Sequence, residues 1–243
     1  DPYIGKDAGY LEVKRLSGRG PALLVLPKEN MPFEAYRPLL DDPTPKSIVF
    51  EGFHEGMAYS KAYSENEWKG VEQWNEPTSL VLQPNETKNF ALKFVLTEGI
   101  KNIQETLVKE KPPVAVGVPG YVLPQDVEGQ LFIDYNQRVA SITVEPSGAL
   151  EIKENGTTAL GKKKYHVQGK KWGRARLTIT YTDGTEQTIN YKIIKPETEV
   201  IEDFGNFLTT EQWFDDPNDP FGRNPSPISY DYEKKEKVVQ DGR

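Results

Sequence analysis

Aromatic and acidic residues alternate in one short stretch of the sequence, and this stretch could bind or cleave a sugar. Its aromatic members are Tyr59, Tyr63, Trp68 and Trp74. A pyranose ring has apolar C–H faces and a polar rim, so aromatic side chains can stack on it. The competing interpretation is that these rings fill a core, because Trp is usually mostly buried. We take the four residues as candidates for glycan contact.

A carboxylate pair for acid and base catalysis needs two acidic side chains that converge on a cleft. Glu67 and Glu72 lie in the same stretch, but five-residue spacing would put them on opposite sides of an extended strand. Residues 41–42 and 215–219 are acidic and fall in predicted loops. The second loop could hold Ca²⁺, but it lacks the EF-hand pattern, and we favour Asx turns there. No spacing singles out a pair, so the sequence predicts no catalytic residue.

Residue counts exclude several kinds of chemistry. The chain has no Cys and only two His, His54 and His166, which excludes disulfides, thiolate metal sites and multi-histidine metal sites. It contains no G-x-S-x-G elbow, no P-loop and no G-x-G-x-x-G motif. We therefore predict no metal and no cofactor.

The charge distribution argues against two classes of partner. The net charge is −7, whereas nucleic-acid binding needs a concentrated Lys and Arg surface. The one basic run, residues 162–164 with Lys170 and Lys171, is interpreted as a solvated loop, with a polyanion site as the alternative. No apolar run approaches the roughly 20 residues of a membrane span. We predict neither nucleic acid nor membrane as a partner.

Two Asn-X-Thr triplets, at Asn85 and Asn155, fit the N-glycosylation pattern and fall in predicted turns. A chain without Cys, with such triplets, and rich in Tyr, Trp, Thr and Gly is typical of a secreted protein acting on glycans. The sequence begins at Asp1 without Met or a signal peptide and ends at Arg243 after a charged run. We expect a mature or proteolysed part of a longer, extracellular protein.

The elements that must position these side chains are β-strands. On both sides of Asp183-Gly184 the sequence alternates with period 2, which predicts a hairpin with a two-residue turn. Because one face is polar, we predict a sheet that covers a core on one side only. The apolar face of the hairpin holds Ala175, Leu177, Ile179, Tyr181, Ile189, Tyr191 and Ile193.

Residues 1–112 are predicted to form part of a large β-sandwich. Residues 23–26 and 47–50 are apolar runs that predict strands buried on both faces. Residues 79–82 and 89–96 flank a turn and predict a second, weaker hairpin.

A short helix is predicted over residues 99–111, because Ile103 and Leu107 have helical spacing and Pro112 ends the pattern. Residues 113–197 contain short strands at regular spacing, which predicts an Ig-like β-sandwich. Residues 198–243 are mostly polar and charged and predict an irregular segment. The predicted fold class is therefore all-β, with two β-sandwich units.

Residues 76–87 and 90–94 resemble the closing strands of the large sandwich that adjoins an (α/α) toroid in several polysaccharide-active enzymes. With residues 119–122 and 204–207, the whole chain resembles the middle of secreted six-hairpin glycosidase-like proteins, a group described mainly by a domain of unknown function. No catalytic motif matches. The resemblance implies that a toroid with the active site begins near residue 200 and lies mostly beyond Arg243, so that residues 198–243 lead towards it.

The function that we expect is the non-catalytic β-sandwich part of a secreted glycoside hydrolase-like enzyme, bracing the catalytic domain and contacting glycan. Its partners would be carbohydrate or the remaining catalytic part of the same protein. One alternative is a free-standing carbohydrate-binding or cell-surface adhesion module. Another is a complete glycoside hydrolase with an unrecognised carboxylate pair.

Overall fold

The fold is all-β, as predicted, with three short helices. A computed structural model describes residues 2–28, 31–38 and 54–239. The predicted strand at residues 47–50 and the acidic residues 41–42 lie outside these ranges. The N-terminal elements are β1 (Pro2–Tyr3), β2 (Tyr10–Val13), β3 (Leu23–Lys28), β4 (Ala35–Pro38), β5 (His54–Met57), α1 (Lys61–Glu65), β6 (Ala91–Leu96), a 3₁₀ turn (Ile100–Asn102) and α2 (Ile103–Glu110).

The remaining elements supply most of the sheet structure. They are β7 (Val114–Val118), β8 (Val122–Pro124), β9 (Glu128–Asp134), β10 (Val139–Glu145), β11 (Leu150–Thr157), β12 (Lys163–Gly169), β13 (Gly173–Tyr181), β14 (Glu186–Ile194), α3 (Glu197–Thr209), β15 (Trp213–Phe214), β16 (Ser226–Pro227), β17 (Tyr230–Asp231) and β18 (Glu236–Lys237).

The first sheet has the strand order β1-β2-β3-β6 and carries α2 on one face. Leu24 and Leu26 of β3 pack there against Ile103 and Leu107 of α2. The predicted helix is therefore confirmed. It ends at Glu110, and the positive φ of 67° at the following Lys111 lets the chain leave the last turn.

The predicted second hairpin is wrong. β6 pairs antiparallel with β3, while residues 79–82 lie outside any strand and are exposed. The turn between them is present, with the amide of Glu86 donating to the carbonyl of Gln83 at 2.9 Å. Period-2 alternation indicates that β6 is a strand but not which strand it pairs with. The buried run of β3 provides the partner.

The opposite face of the first sheet is apolar and exposed. Leu92, Phe94 and Leu96 of β6 are 41%, 64% and 70% exposed, and Val13 of β2 is 56% exposed. Within the described residues, β6 has β3 as its one partner strand.

Two further four-stranded sheets, β10-β13-β14-β8 and β11-β12-β9-β7, share one core and form a β-sandwich. Leu177 and Ile179 of β13 pack in this core with Leu131 of β9 and Val167 of β12. The predicted apolar face of the β13–β14 hairpin is buried throughout. The Ig-like classification and the domain boundaries at residues 112 and 197 stay predictions.

The turn of this hairpin differs in detail from the prediction. The amide of Tyr181 donates to the carbonyl of Thr185 at 3.0 Å, so three residues connect the strands instead of two. Gly184 takes the positive φ of 86° that such a connection needs.

The outer face of β14 is not simply solvated. Thr188, on this outer face, is 1% exposed because the N-terminal segment covers it. The amide of Thr188 donates to the carbonyl of Gly5 at 3.3 Å, and a β-bridge joins Lys6 to Gln187. The expectation of a core on one side only therefore fails at this end of β14.

The C-terminal segment begins with α3, which exposes Val200, Ile201 and Phe204 by 43%, 62% and 60%. The rings of Phe207, in α3, and Tyr230, in β17, meet edge to face with centroids 5.0 Å apart. Among the helices of the described residues, none is long and apolar enough to cross a membrane.

Candidate functional site

An aromatic pocket lies beside the part of β14 that is not paired with β8. The pairing of β8 with β14 begins at Lys192, and the N-terminal segment covers Thr188, so the edge of β14 is open between them. A cavity of about 260 Å³ occupies this opening. It is lined by Tyr3, Ile4, Tyr36, Trp74, Tyr121, Ile189 and Asn190.

Trp74 brings a predicted glycan-contact residue to this pocket. Its side chain is 49% exposed. The guanidinium carbon of Arg174 lies 4.6 Å from the Trp74 ring centroid, and Arg174 Nη1 lies 3.3 Å from Glu72 Oε2. The cation therefore covers one face of the indole, and a ligand in the pocket would meet the other face or the edge.

The chain next to Trp74 is held by a buried network. Asn75, which is 1% exposed, donates from Nδ2 to the carbonyls of Glu34 at 2.6 Å and Ile4 at 3.2 Å. Its Oδ1 accepts a hydrogen bond from the Thr188 hydroxyl. These contacts fix the position of the indole relative to β14.

Two tyrosines form walls of the pocket. The Tyr3 hydroxyl donates to the carbonyl of Thr188 at 2.7 Å, and the Tyr121 hydroxyl donates to the carbonyl of Ala115 at 3.1 Å. Burial raises the pKa of Tyr3 and of Tyr121, so both phenols stay neutral at physiological pH. They act as flat, mostly apolar surfaces.

The other predicted glycan-contact residues lie elsewhere. The rings of Tyr63 and Trp68 are 5.2 Å apart, and Arg37 lies 4.5 Å from the centroid of the Tyr63 ring. Tyr59 meets Phe90 edge to face at 6.1 Å. The structure therefore brings together Tyr63 and Trp68 but not all four, and none of the four is a buried core residue.

Three acidic residues of the same stretch form ion pairs with arginines. Glu67 pairs with Arg37 at 3.1 Å, Glu72 with Arg174 at 3.3 Å, and Glu76 with Arg176 at 3.4 Å. Each of these carboxylates is thus paired with a different arginine. Arg174 and Arg176 are neighbours on the same face of β13, so Glu72 and Glu76 are held at adjacent positions there, whereas Glu67 is held by Arg37.

One buried carboxylate, Glu34, was not indicated by the sequence. It is 2% exposed and accepts from the amide and hydroxyl of Ser60 at 2.7 and 2.6 Å and from the amide and hydroxyl of Thr78, the amide at 2.9 Å. Four donors saturate its oxygens. Glu34 therefore ties down both ends of the loop that carries Trp74.

The acidic C-terminal loop contains the predicted Asx turn, with the amide of Asn218 donating to Asp216 Oδ1 at 2.9 Å. Asp219 bonds Arg223, with Nη2 to Oδ1 at 2.8 Å, and these bonds lower the pKa of Asp219 to about 2. In the part of the chain that the structure describes, no three His, Asp or Glu side chains are grouped so that they could hold a metal ion.

The two glycosylation candidates are both exposed. Asn85 lies in the turn after Pro84 with a φ of 67°, and Asn155 lies in an irregular part of β11 beside Gly156. Both side chains are therefore accessible to solvent. Glycosylation of Asn85 and Asn155 stays a prediction.

Sequence reasoning missed the other residues of the pocket. Tyr3, Tyr36, Tyr121 and Asn190 come from four separate segments of the chain. Among the pocket residues, only Trp74 belongs to a stretch whose local sequence pattern could be recognised. The pocket could be recognised only after the segments had been assembled.

Comparison with known proteins places the fold and the family. No curated protein matches the sequence. A solved structure described as the polysaccharide lyase BACCELL_00875 is similar with a TM-score of 0.67 and 13% identity, over 100% of this chain. The match spans 32% of that protein, so the chain corresponds to about a third of its length. A family model described as "Family of unknown function (DUF5695)" matches residues 1–243, and the chain belongs to that family.

Proposed function

We propose that the chain is the non-catalytic β-sandwich portion of a secreted carbohydrate-active enzyme. The observation that carries this proposal is the similarity of the whole chain to one part of a polysaccharide lyase. In this role the chain braces a catalytic portion of the same protein and contacts its glycan through the aromatic pocket. The catalytic portion would be an (α/α) toroid, as the six-hairpin glycosidase-like resemblance implies.

Two apolar surfaces support the bracing role. Phe94 and Leu96 on the first sheet and Ile201 and Phe204 on α3 are each at least 60% exposed. Contiguous exposed apolar surface marks interaction sites in soluble proteins. These surfaces would be covered by the catalytic portion.

A free-standing carbohydrate-binding module is the second candidate. The pocket beside Trp74 favours it, because it combines an exposed indole with apolar walls and a few polar groups. The two candidates differ in whether the apolar surfaces are covered in the longer protein.

The experiment compares Phe94→Ser in this chain alone and in the longer protein. In the chain alone the substitution should change the free energy of unfolding by less than about 0.5 kcal/mol, because Phe94 is already exposed. If the catalytic portion covers it, the loss in the longer protein should be about 1.5–3 kcal/mol.

The matched control is Leu160→Ser, since Leu160 is 85% exposed and lies between β11 and β12, outside the first sheet. It should have no effect in either protein. Equal, small effects of Phe94→Ser in both proteins would reject the bracing role and leave the carbohydrate-binding module.

A further inference from the structure

The open edge of β14 presents backbone groups to the pocket. The register of β13 with β14 is continuous from Gly173 opposite Ile193 to Thr180 opposite Glu186. In an antiparallel strand, alternate residues direct both N–H and C=O to the same side. The amides of Thr188 and Lys192 bond away from β13, to the carbonyls of Gly5 at 3.3 Å and Tyr121 at 2.8 Å.

Asn190 lies two residues after Thr188 and two residues before Lys192, so its backbone groups point to the same side of β14 as theirs. Its backbone N–H and C=O therefore point away from β13, to the side where the pocket lies. Neither group has a hydrogen-bond partner among the residues that the structure describes. The pocket thus offers one backbone donor and one backbone acceptor, side by side, in a lining of mostly aromatic and aliphatic residues. The Asn190 side chain is engaged elsewhere, because its Nδ2 donates to the carbonyl of Trp74 at 3.4 Å.

A secondary amide is the chemical group that complements this pair. Its C=O can accept from the Asn190 N–H while its N–H donates to the Asn190 C=O, as a neighbouring strand would. The distance from Thr188 to Lys192 is about 13 Å, at roughly 3.3 Å per residue. Gly5 and Tyr121 close the two ends of this interval. A peptide strand would meet both, whereas a single amide fits between them.

The residues that line the pocket indicate which chemical groups flank the amide of the ligand. Ile4 and Ile189 provide aliphatic surface for a methyl group, and the exposed Trp74 provides a flat surface at the pocket for a pyranose ring. The cavity of about 260 Å³ is below the roughly 300–1,000 Å³ of drug-sized sites, which suits one sugar unit.

We propose that the pocket binds the acetamido group of an N-acetylhexosamine unit. The inference rests on the proposed function in that the ligand is a glycan, and it adds the sugar class and the groups that recognise it. Asn190 contributes its backbone N–H and C=O, and Trp74 contacts the sugar ring.

The test measures binding of three β-1,4-linked trisaccharides to the 243-residue chain by titration calorimetry. They are built from N-acetylglucosamine, glucosamine and glucose. The acetylated trisaccharide should bind at least about tenfold more tightly than the other two, since the lost amide bonds correspond to that factor. In saturation-transfer NMR its acetyl methyl protons should receive the strongest signal.

Two variants at one position isolate the backbone donor. Asn190→Pro removes the side chain and the N–H, and Asn190→Ala removes the side chain alone. Pro is tolerated where an edge-strand N–H has no partner strand. The acetylated trisaccharide should bind about tenfold more weakly to the Pro variant than to the Ala variant.

Trp74→Ala should abolish binding, whereas Trp172→Ala, at an indole that is 67% exposed and outside the pocket, should leave it unchanged. Equal binding of all three trisaccharides, with loss on Trp74→Ala, would overturn the acetamido inference and keep the carbohydrate role. Absence of binding by every trisaccharide would also overturn it. The comparison of the three trisaccharides uses the unsubstituted chain, so it tests the inference even if Asn190→Pro fails to fold.

Discussion

The hydroxyl of Thr188 donates a hydrogen bond to Oδ1 of Asn75, although the two residues are 113 positions apart in the chain. Both are 1% exposed. This contact joins the loop that carries Trp74 to the outer face of β14. The same amide reaches the carbonyl of Glu34, so one side chain links three segments.

The first prediction is that Asn75→Ala destabilises the protein. The carbonyl of Glu34 and the hydroxyl of Thr188 would be left buried without this partner, at a cost of about 1–3 kcal/mol each in the free energy of unfolding. Urea unfolding followed by circular dichroism measures this loss.

The control for this variant is Gln73→Ala, because the Gln73 amide bonds only locally, to the carbonyl of Val71 at 2.9 Å. It should change stability by less than about 0.5 kcal/mol. Equal losses for the two variants would show that the buried network does not stabilise the junction.

A second prediction concerns the core of the sandwich. Ile179 is 0% exposed, so Ile179→Ala should lower the free energy of unfolding by roughly 2–5 kcal/mol, through lost transfer energy and the cavity left behind. Thr178→Ala, on the half-exposed opposite face of β13, is the matched control and should cost far less. A measured loss below about 1 kcal/mol for Ile179→Ala would contradict the register of the hairpin.

Sequence periodicity predicted the strands in which apolar and polar residues alternate within one segment. The β13–β14 hairpin alternates apolar and polar residues along β13 and from Thr188 to Ile193 of β14, so its two faces follow directly. Its register depends on the turn, which has three connecting residues instead of the predicted two. β6 alternates more weakly, and its partner is β3, which lies much earlier in the chain. Alternation carries no information about distant pairing, and the predicted local hairpin was wrong for that reason.

The candidate site was predictable only in part, because its residues come from separate segments. Trp74 was identified by its aromatic and acidic neighbours. The burial of Thr188 and the exposure of the Asn190 backbone both depend on where the N-terminal segment crosses β14. That crossing is a tertiary feature, and no local pattern near Asn190 signals it.

The third prediction is a pH dependence in the C-terminal segment. The hydrogen bonds from Arg223 lower the pKa of Asp219 from its usual 3.8 to about 2. A lowered folded-state pKa means that the ionised form favours the folded segment. This stabilisation is fully present above about pH 5 and is lost as the pH falls through the folded-state pKa.

Hydrogen exchange at the amide of Arg223, which donates to Asp219 Oδ2 at 2.8 Å, reports this change. Its protection should fall between about pH 4 and pH 2, and Asp219→Asn should remove that dependence. Asp215→Asn, at an exposed neighbouring carboxylate, should leave it intact. An unchanged acid profile in Asp219→Asn would rule out this ion pair as the cause.

The last prediction is that the chain alone does not cleave glycans. In the described part of the chain, the carboxylates nearest the aromatic residues are each paired with a different arginine, and Glu34 is saturated by four donors. Glu34 is 2% exposed and so out of reach of a sugar, and Glu67 and Glu72 are already engaged in ion pairs. Catalysis would therefore need a group from outside these residues.

Both hydrolysis and elimination should be measured, because they leave different products. Reducing-sugar release and the absorbance of unsaturated products should stay at background for the isolated chain on a broad panel of polysaccharides, including acetylated and acidic ones. Steady turnover that disappears in Glu67→Gln or Glu72→Gln, and persists in Glu65→Gln, would move the active site to this stretch. The reason to test these two is that Arg37 and Arg174 hold them beside the exposed rings, where a bound sugar could displace the arginine and free the carboxylate.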